Sequence, residues 1–283
     1  MTVAVLTDTA AALSPELAAE FGVALVPLTV AVDGRAYRDA DVDLPALLAS
    51  TTGRVTTAGP PPSEFLAVLE RAGPGVGAAV IVTVARGLSG THAAARIAAA
   101  LAPLPVEVVD STSAAGGQAL VALAAAERAG AGGSLYEVAT AARLAATQVR
   151  LVGCVESLDG LVRSGRIPGL AAAAIRRVGL QFMFELRAGS IRPLRPAAGY
   201  PAAADRMVAR CVSDGRSGLA TDVLALGPAG APRVGELTER LAHAAARGEL
   251  PVRRLRVGTF GPAILVHAGP EVVGLAWRVD RGT

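Results

Sequence analysis

Along the first half of the chain, short runs rich in Val, Leu and Ile alternate with alanine-rich stretches of helical length. Nothing else in the sequence restricts the fold as much. Residues 3–6 form an apolar, β-branched-rich run that ends in Thr7-Asp8-Thr9. Ser14-Pro15-Glu16 then supplies the cap, first-turn proline and acidic residue of a helix start. Residues 23–32 read as a second strand, closed by the turn pair Asp33-Gly34. Residues 78–84 and 106–109 are a third and a fourth buried strand, followed by helical sequence from 90 to 100 and beyond Asp110-Ser111. Ser134-Leu-Tyr-Glu137 matches a capping box. Strands separated by helices assemble into a mostly parallel sheet with flanking helices, and ligands of such sheets bind outside the carboxyl ends of the strands.

The pattern changes near residue 150. Residues 180–186 and 191–194 flank Ala188-Gly189 as a hairpin would, and 257–277 is strand-like around Gly269-Pro270. Between them lie helical stretches near 201–213 and 233–247, with a strand at 222–226. Antiparallel pairing implies a different kind of domain. The expected fold is therefore α/β in two domains, an N-terminal α/β domain over 1–150 and a C-terminal α+β domain over 151–283, with a ligand pocket between them. A length of 283 residues suits two domains that share an interface.

Composition then removes function classes. Apolar residues are 52% of the chain and charged ones 18%, so this is a folded, core-rich protein. Aromatics are only 3%, so the core must be built from Ala, Val and Leu. The net charge of +3 comes from arginine alone, because the sequence has no lysine. A Walker-type phosphate loop and Schiff-base chemistry both need one, and no cofactor is expected. The arginines are dispersed and aromatics for base stacking are scarce, which argues against nucleic acid. Cys154 and Cys211 lie far apart without a CxxC pattern, so neither a zinc site nor a disulfide framework is expected. The start MTVAVLTD lacks the basic opening of a signal peptide. The alanine-rich stretches at 93–105 and 114–126 are too short or interrupted to span a bilayer. The expected location is the cytoplasm, without stable membrane insertion.

Four segments carry residues suited to chemistry. Leu88-Ser89-Gly90-Thr91 opens a helix, whose first-turn N–H groups and dipole favour an anion, although the same serine also serves as an ordinary cap. Thr57 precedes Ala58-Gly59-Pro60-Pro61-Pro62, a loop stiff enough to fix a hydroxyl, or a plain connection. Ser164-Gly165-Arg166 offers a guanidinium to a carboxylate, unless Arg166 is simply solvated. His267, between residues 263–266 and Gly269-Pro270, is either a ligand-binding or a core histidine. Two other patterns fail. Gly73-Pro-Gly75-Val-Gly77 precedes a strand where a dinucleotide site needs its glycines after one. Ser89, His267 and Asp8 or Asp110 make a triad only on paper, since Leu88-Ser89-Gly90 lacks the G-x-S-x-G elbow.

Taken in order, these segments resemble the DegV family of bacterial fatty-acid-binding proteins, the group that includes the FakB subunits of fatty acid kinase. Leu6-Thr7-Asp8-Thr9, Val26-Pro27-Leu28, and Gly34 with Tyr37 and Asp39 resemble its N-terminal signature, and Thr57 to Phe65 resembles its T-S-Q-P-S-P-x-E-F. Leu88-Ser89-Gly90-Thr91 is identical to its L-S-G-T, Val109-Asp110-Ser111 to its V-D-S, and Gly165-Arg166-Ile167 to the end of its G-G-R-I. His267-Ala-Gly269-Pro270 resembles its H-x-G-P-G, with Glu271 in place of the last glycine. Ala58, Gly59 and Ala85 also replace polar residues of the pattern, and Gln181-Phe182 stands where the family has K-P.

The resemblance implies a long-chain fatty acid whose carboxylate meets Thr57, Ser89, Gly90 and His267. Arg166 would serve partner docking or phosphoryl transfer, outside the tail pocket. Ile167, Leu170, Ile175, Leu180, Phe182 and Phe184 are the tail-pocket candidates. It also implies that the chain is a lipid-binding protein and not itself an enzyme, presenting the fatty acid to a FakA-like kinase subunit that makes the acyl phosphate. Two alternatives stand beside this: a stand-alone hydrolase or transferase using Ser89 and His267, and a lipid-responsive binding module without phosphorylation.

Overall fold

The computed structural model describes residues 2–50, 54–73, 75–167, 180–215 and 221–279. β1 (Thr2–Asp8) pairs in parallel with β2 (Val23–Val26) and β6 (Val76–Thr83), and β6 pairs with β7 (Val106–Asp110), giving a four-stranded sheet of order β2-β1-β6-β7. The single strand expected over 23–32 is in fact two strands in different sheets. Pro27 has no N–H for a ladder. The backbone of the next residue is taken elsewhere: Leu28 N donates to Thr9 Oγ1 at 3.0 Å, and Leu28 O accepts from Asp39 N at 2.8 Å. β3 (Thr29–Val32) therefore leaves the parallel sheet and forms a small antiparallel one with β4 (Arg35–Arg38) and β5 (Thr56–Ala58), order β4-β3-β5.

A seven-stranded sheet follows, built from β8 (Val149–Val155), β9 (Leu180–Arg187), β10 (Ser190–Pro193), β11 (Ala197–Ala198), β12 (Thr221–Gly227), β13 (Val252–Thr259) and β14 (Val273–Val279). Its order is β10-β9-β8-β14-β12-β13, with β11 on β9, and only β12 and β13 run parallel. The β9–β10 hairpin turns at Ala188 and Gly189, whose φ values of 49° and 76° suit the twist of the flanking strands. The strand expected over 257–277 is corrected to strand, helix, strand. Pro262 sits in the first turn of a short helix, Pro262–Ala268, and Gly269 at φ 83° ends it.

The other helices begin with α1 (Pro15–Glu20), capped by Ser14, then α2 (Leu44–Ser50), α3 (Pro62–Arg71) and α4 (Thr91–Leu101). α5 (Ala115–Gly130) is followed by α6 (Leu135–Gln148), opened by the Ser134–Glu137 capping box. α7 (Asp159–Arg163), α8 (Gly199–Gly215) and α9 (Pro232–Ala246) precede the Pro262–Ala268 helix, which is α10. Among the described residues no helix is long and apolar enough to cross a membrane, and no group of His, Cys, Asp and Glu could hold a metal ion.

α5 lies between the two large sheets, against β1 and β6 on one side and β8, β12 and β14 on the other. Twelve consecutive residues, from Ala115 to Ala126, are buried. A stretch that is apolar all round but for Gln118, whose Nε2 donates to Thr7 Oγ1, belongs in such a place. Its small side chains bring the sheets close, and at Gly116 a Cβ would lie 2.6 Å from Leu226 Cδ1 and 2.8 Å from the Ala276 Cβ. Overpacking a core of this kind costs about 1–3 kcal/mol. Gly116→Val should lower the unfolding free energy by at least that much, read as a lower urea midpoint, and an unchanged midpoint would show that the helix is not wedged between the sheets.

Candidate functional site

The carboxyl ends of β1, β6 and β7 meet loops that lean on the seven-stranded sheet. Asp8, fully buried at the end of β1, ties two of these loops together: its Oδ2 accepts from Val84 N at 2.9 Å and its Oδ1 from Ala10 N at 3.2 Å. Burial pushes its carboxyl pKa up to about 6, against the lowering effect of those bonds. Ala10 and Val84 form one wall of a cavity of about 120 Å³, roughly ten times the room a single water needs by the same measure. Leu88, Ala114 and Ala115 extend that wall; Leu151, Phe184, Leu186 and Ile191 face it from the second sheet. All its wall residues are apolar or glycine except three: Ser89, Arg166 and His267.

The floor depends on two mid-strand glycines. Gly153 of β8 and Gly274 of β14 are paired across the ladder. A Cβ on Gly153 would stand 2.5 Å from the Phe184 ring, and one on Gly274 would stand 3.2 Å from Phe260. The two rings thus lie down on bare backbone, which leaves room above them.

A polar cleft of about 320 Å³ adjoins the cavity, lined by residues 57–59, 87–90 and 164–166, and Leu88, Ser89 and Arg166 border both spaces. Thr57 sits on β5, opposite Val30, rather than on a free loop. Gly59 follows it, where a Cβ would stand 2.6 Å from Thr91 Oγ1, so glycine lets the β5 exit rest on the start of α4. There Ser89 Oγ lies 2.8 Å from Thr91 Oγ1 and accepts from Thr91 N at 3.3 Å. Thr57 Oγ1 is 2.5 Å from His267 Nε2, a contact between residues 210 positions apart. His267 occupies the last turn of α10, packed against α7 so tightly that a Cβ on Gly160 would meet the His267 carbonyl at 2.2 Å.

α7 also sets the position of Arg166. Gly165, at φ 74°, reverses the chain after the helix, and Arg166 N donates back to Leu161 O at 2.9 Å. The guanidinium, with Nη1 donating to Ser164 O at 2.8 Å, then lies at the border of cleft and cavity. The expectation that it stands outside the pocket does not describe this geometry: the left-handed turn folds it inward. Burial pushes the His267 pKa down to about 4, aided by the Arg166 charge. Burial alone lowers that of Arg166. At neutral pH the imidazole is uncharged and the guanidinium is the cation of the site.

Of the six tail-pocket candidates, Phe184 lines the cavity. Ile167 and Phe182 are buried in the same apolar core without bordering the cavity, and Leu180 pairs with Ala198 at the start of β9. Leu170 and Ile175 lie outside the described residues. The wall residues that sequence reasoning missed include Ala10, Ala115, Leu151 and Phe260. A legible signal was the isolated glycine inside each of two strand patterns, at 153 and 274.

Comparison with known proteins gives one consistent result. A sequence model of the DegV family matches residues 2–280. A DegV domain-containing protein of Streptomyces coelicolor is 33% identical over 278 residues, covering 96% of this chain and 97% of that protein. One from Mycobacterium tuberculosis is 33% identical over 290 residues, covering 100% and 98%. Among solved structures, a fatty-acid-binding DegV family protein of Thermus thermophilus superposes with a TM-score of 0.86 at 25% identity, covering 99% of this chain and 100% of that one. The fatty acid kinase B3 protein of Streptococcus pneumoniae, loaded with linoleic acid, superposes at 0.84 with 20% identity over 99% and 100%.

The electrostatics are open to titration. Because the folded pKa of His267 lies below that of an unfolded histidine, its contribution to stability is complete above about pH 6.5 and is lost progressively as pH falls toward about 4. NMR should find the imidazole neutral down to about pH 4, and Arg166→Met should raise that midpoint. A midpoint near 6.5 in both proteins would contradict the burial and the proximity of Arg166.

Proposed function

The chain belongs to the DegV family, and from that membership and the geometry of its cavity we propose that it holds one long-chain fatty acid between its N-terminal and C-terminal halves. The observation that carries this reading is the distribution of polarity: the three polar wall residues of the apolar cavity are Ser89, Arg166 and His267, and Ser89 and Arg166 also border the polar cleft that contains Thr57. Such a space suits an amphiphile with one charged end. The relatives described above as binding or carrying fatty acids support the same choice of ligand.

In this reading the tail supplies affinity and the head group supplies orientation. Burying methylenes is worth roughly 0.8 kcal/mol each, so a chain of about sixteen carbons offers on the order of 10 kcal/mol before ordering costs. A carboxylate at the border would leave water, which is unfavourable unless it is paired and fully hydrogen-bonded. Arg166 supplies the positive charge that a lysine-free chain must find in arginine. Thr57, Ser89, the backbone at Gly90 and the neutral His267 supply hydrogen bonds. The Thr57–His267 contact fixes both partners before ligand arrives, so little ordering is left for binding.

The finer part of the proposal is that the carboxylate is presented through the cleft to a separate kinase subunit, which transfers a phosphoryl group to it. The chain would then act as a carrier without turnover of its own. A hydrolase using Ser89 and His267 is disfavoured by the pairing of both side chains with threonines, Ser89 with Thr91 and His267 with Thr57, instead of with each other.

Transfer of a fluorescent fatty acid from protein to vesicles separates head from tail. Ser89→Ala and His267→Ala should fold normally and release the ligand roughly tenfold faster, the equivalent of one lost hydrogen bond to a charged group. Release at the wild-type rate in both would remove them from the head-group site. Arg166→Ala, which removes the cation that meets the carboxylate, should release the ligand at least as fast as those two variants and, mixed with fatty acid, ATP and a kinase subunit, yield no acyl phosphate. Normal acyl phosphate formation would contradict its assigned role.

A further inference from the structure

A second cleft, of about 570 Å³, opens at the carboxyl end of β7, bordered by Asp110, Thr112 and Ser113, whereas Ala114 and Ala115 border the apolar cavity. It borders residues of α6, β8 and β9, and its lining is unlike that of the fatty-acid cavity: His92, Thr112, Ser113, Arg143, Arg150 and Arg187 contribute, together with Asp110. The nearby carboxylates are already engaged. Asp110 accepts from Thr112 N at 2.8 Å and pairs with Arg86 at 3.5 Å, and Glu107 pairs with Arg143. His92 shares a hydrogen bond with Thr83 through Nδ1, and burial keeps its pKa below the ordinary value.

Arg150 and Arg187 are different. Neither has a carboxylate partner among the described residues; Arg150 donates only to its neighbour's carbonyl, Val149 O. The β8–β9 ladder ends at the pair Leu151–Leu186, and Arg150 and Arg187 are the next residues past it, opposite each other if that register is continued. Like charges placed opposite across a ladder are destabilising. Ser113, on the border of the cleft, is 2% exposed, and its hydroxyl is packed against α5, where a Cβ on Gly117 would meet it at 2.1 Å. The segment bearing it is held in place at several points: Thr112, at φ 52°, donates through Oγ1 to Ala146 O at 3.2 Å, and its carbonyl accepts from Gly189 N at 2.8 Å.

We propose that this cleft binds a phosphate group, held by the guanidinium forks of Arg150 and Arg187. Two unpaired guanidiniums match the several oxygens and double charge of phosphate, which would turn their mutual repulsion into shared attraction. The carboxyl edge of a parallel sheet is where such ligands bind. The site does not depend on the fatty-acid reading, since neither arginine borders the apolar cavity.

The test titrates inorganic phosphate into the full-length protein at constant ionic strength, with chloride as the control, following heat and the amide shifts of Thr112, Ser113 and Arg187. Saturable binding centred on these residues is expected, weakened roughly tenfold or more in Arg150→Gln and in Arg187→Gln. Bound fatty acid should be unchanged in both variants. A parallel arm uses phosphatidylcholine vesicles containing phosphatidic acid: co-sedimentation abolished by the same variants would assign the phosphate to a lipid headgroup, and free phosphate binding without co-sedimentation would assign it to a soluble ligand. No saturation beyond chloride, or binding indifferent to both variants, would overturn the proposal.

Discussion

The close approach of α5 to both sheets sets everything else. At Gly116 the helix has no side chain, and Leu226 and Ala276 of the second sheet come within what would be van der Waals overlap with any Cβ. Residues 115–126 can serve two sheets at once because their side chains are small or aliphatic except for Gln118, whose Nε2 donates to Thr7 Oγ1 at 2.9 Å. The start of that helix, Ala114 and Ala115, then becomes part of the cavity wall. The apolar space is therefore bounded by the same packing that joins the two halves of the chain, and a change that loosened one would reshape the other.

A second constraint is the absence of lysine. If the apolar chamber takes a carboxylate, as proposed, it must meet its charge, and the available cation is Arg166, turned inward by the left-handed Gly165. Its nearness helps hold His267 neutral, so the imidazole works as a hydrogen-bond partner to Thr57 and not as a second cation. The loop ends are braced as well, with the buried Asp8 spanning Ala10 and Val84. In the proposed reading, polar groups at this site thus divide into those that meet ligand and those that hold the wall.

Much of this was legible in the residues. β-branched apolar runs gave the parallel strands, because a strand buried on both faces needs such residues, and the hairpin at Ala188-Gly189 followed from turn chemistry. Short-range rules failed where tertiary partners decided. Pro27-Leu28 splits a continuous apolar run because Thr9 and Asp39 take the Leu28 backbone, and both are distant in sequence. Ile264-Leu265-Val266 reads as strand from its branched residues, yet Pro262 and Gly269 bound it as a helix. At the site, Thr57, Ser89 and His267 were singled out by residue type and family pattern. The cavity walls were not, because alanines and leucines that line a void look the same in sequence as those that fill a core. Gly153 and Gly274 were passed over too, although a glycine inside a strand pattern marks a place where something must come close.

The central claim is that the space between the halves exists to hold one amphiphile. Protein purified from a bacterial host without added lipid should be weighed intact under native conditions, then extracted and the extract analysed by mass spectrometry. The account predicts close to one long-chain fatty acid per chain, lost from the intact mass when the protein is denatured. A native mass equal to that of the bare polypeptide, with no extractable fatty acid, would contradict it.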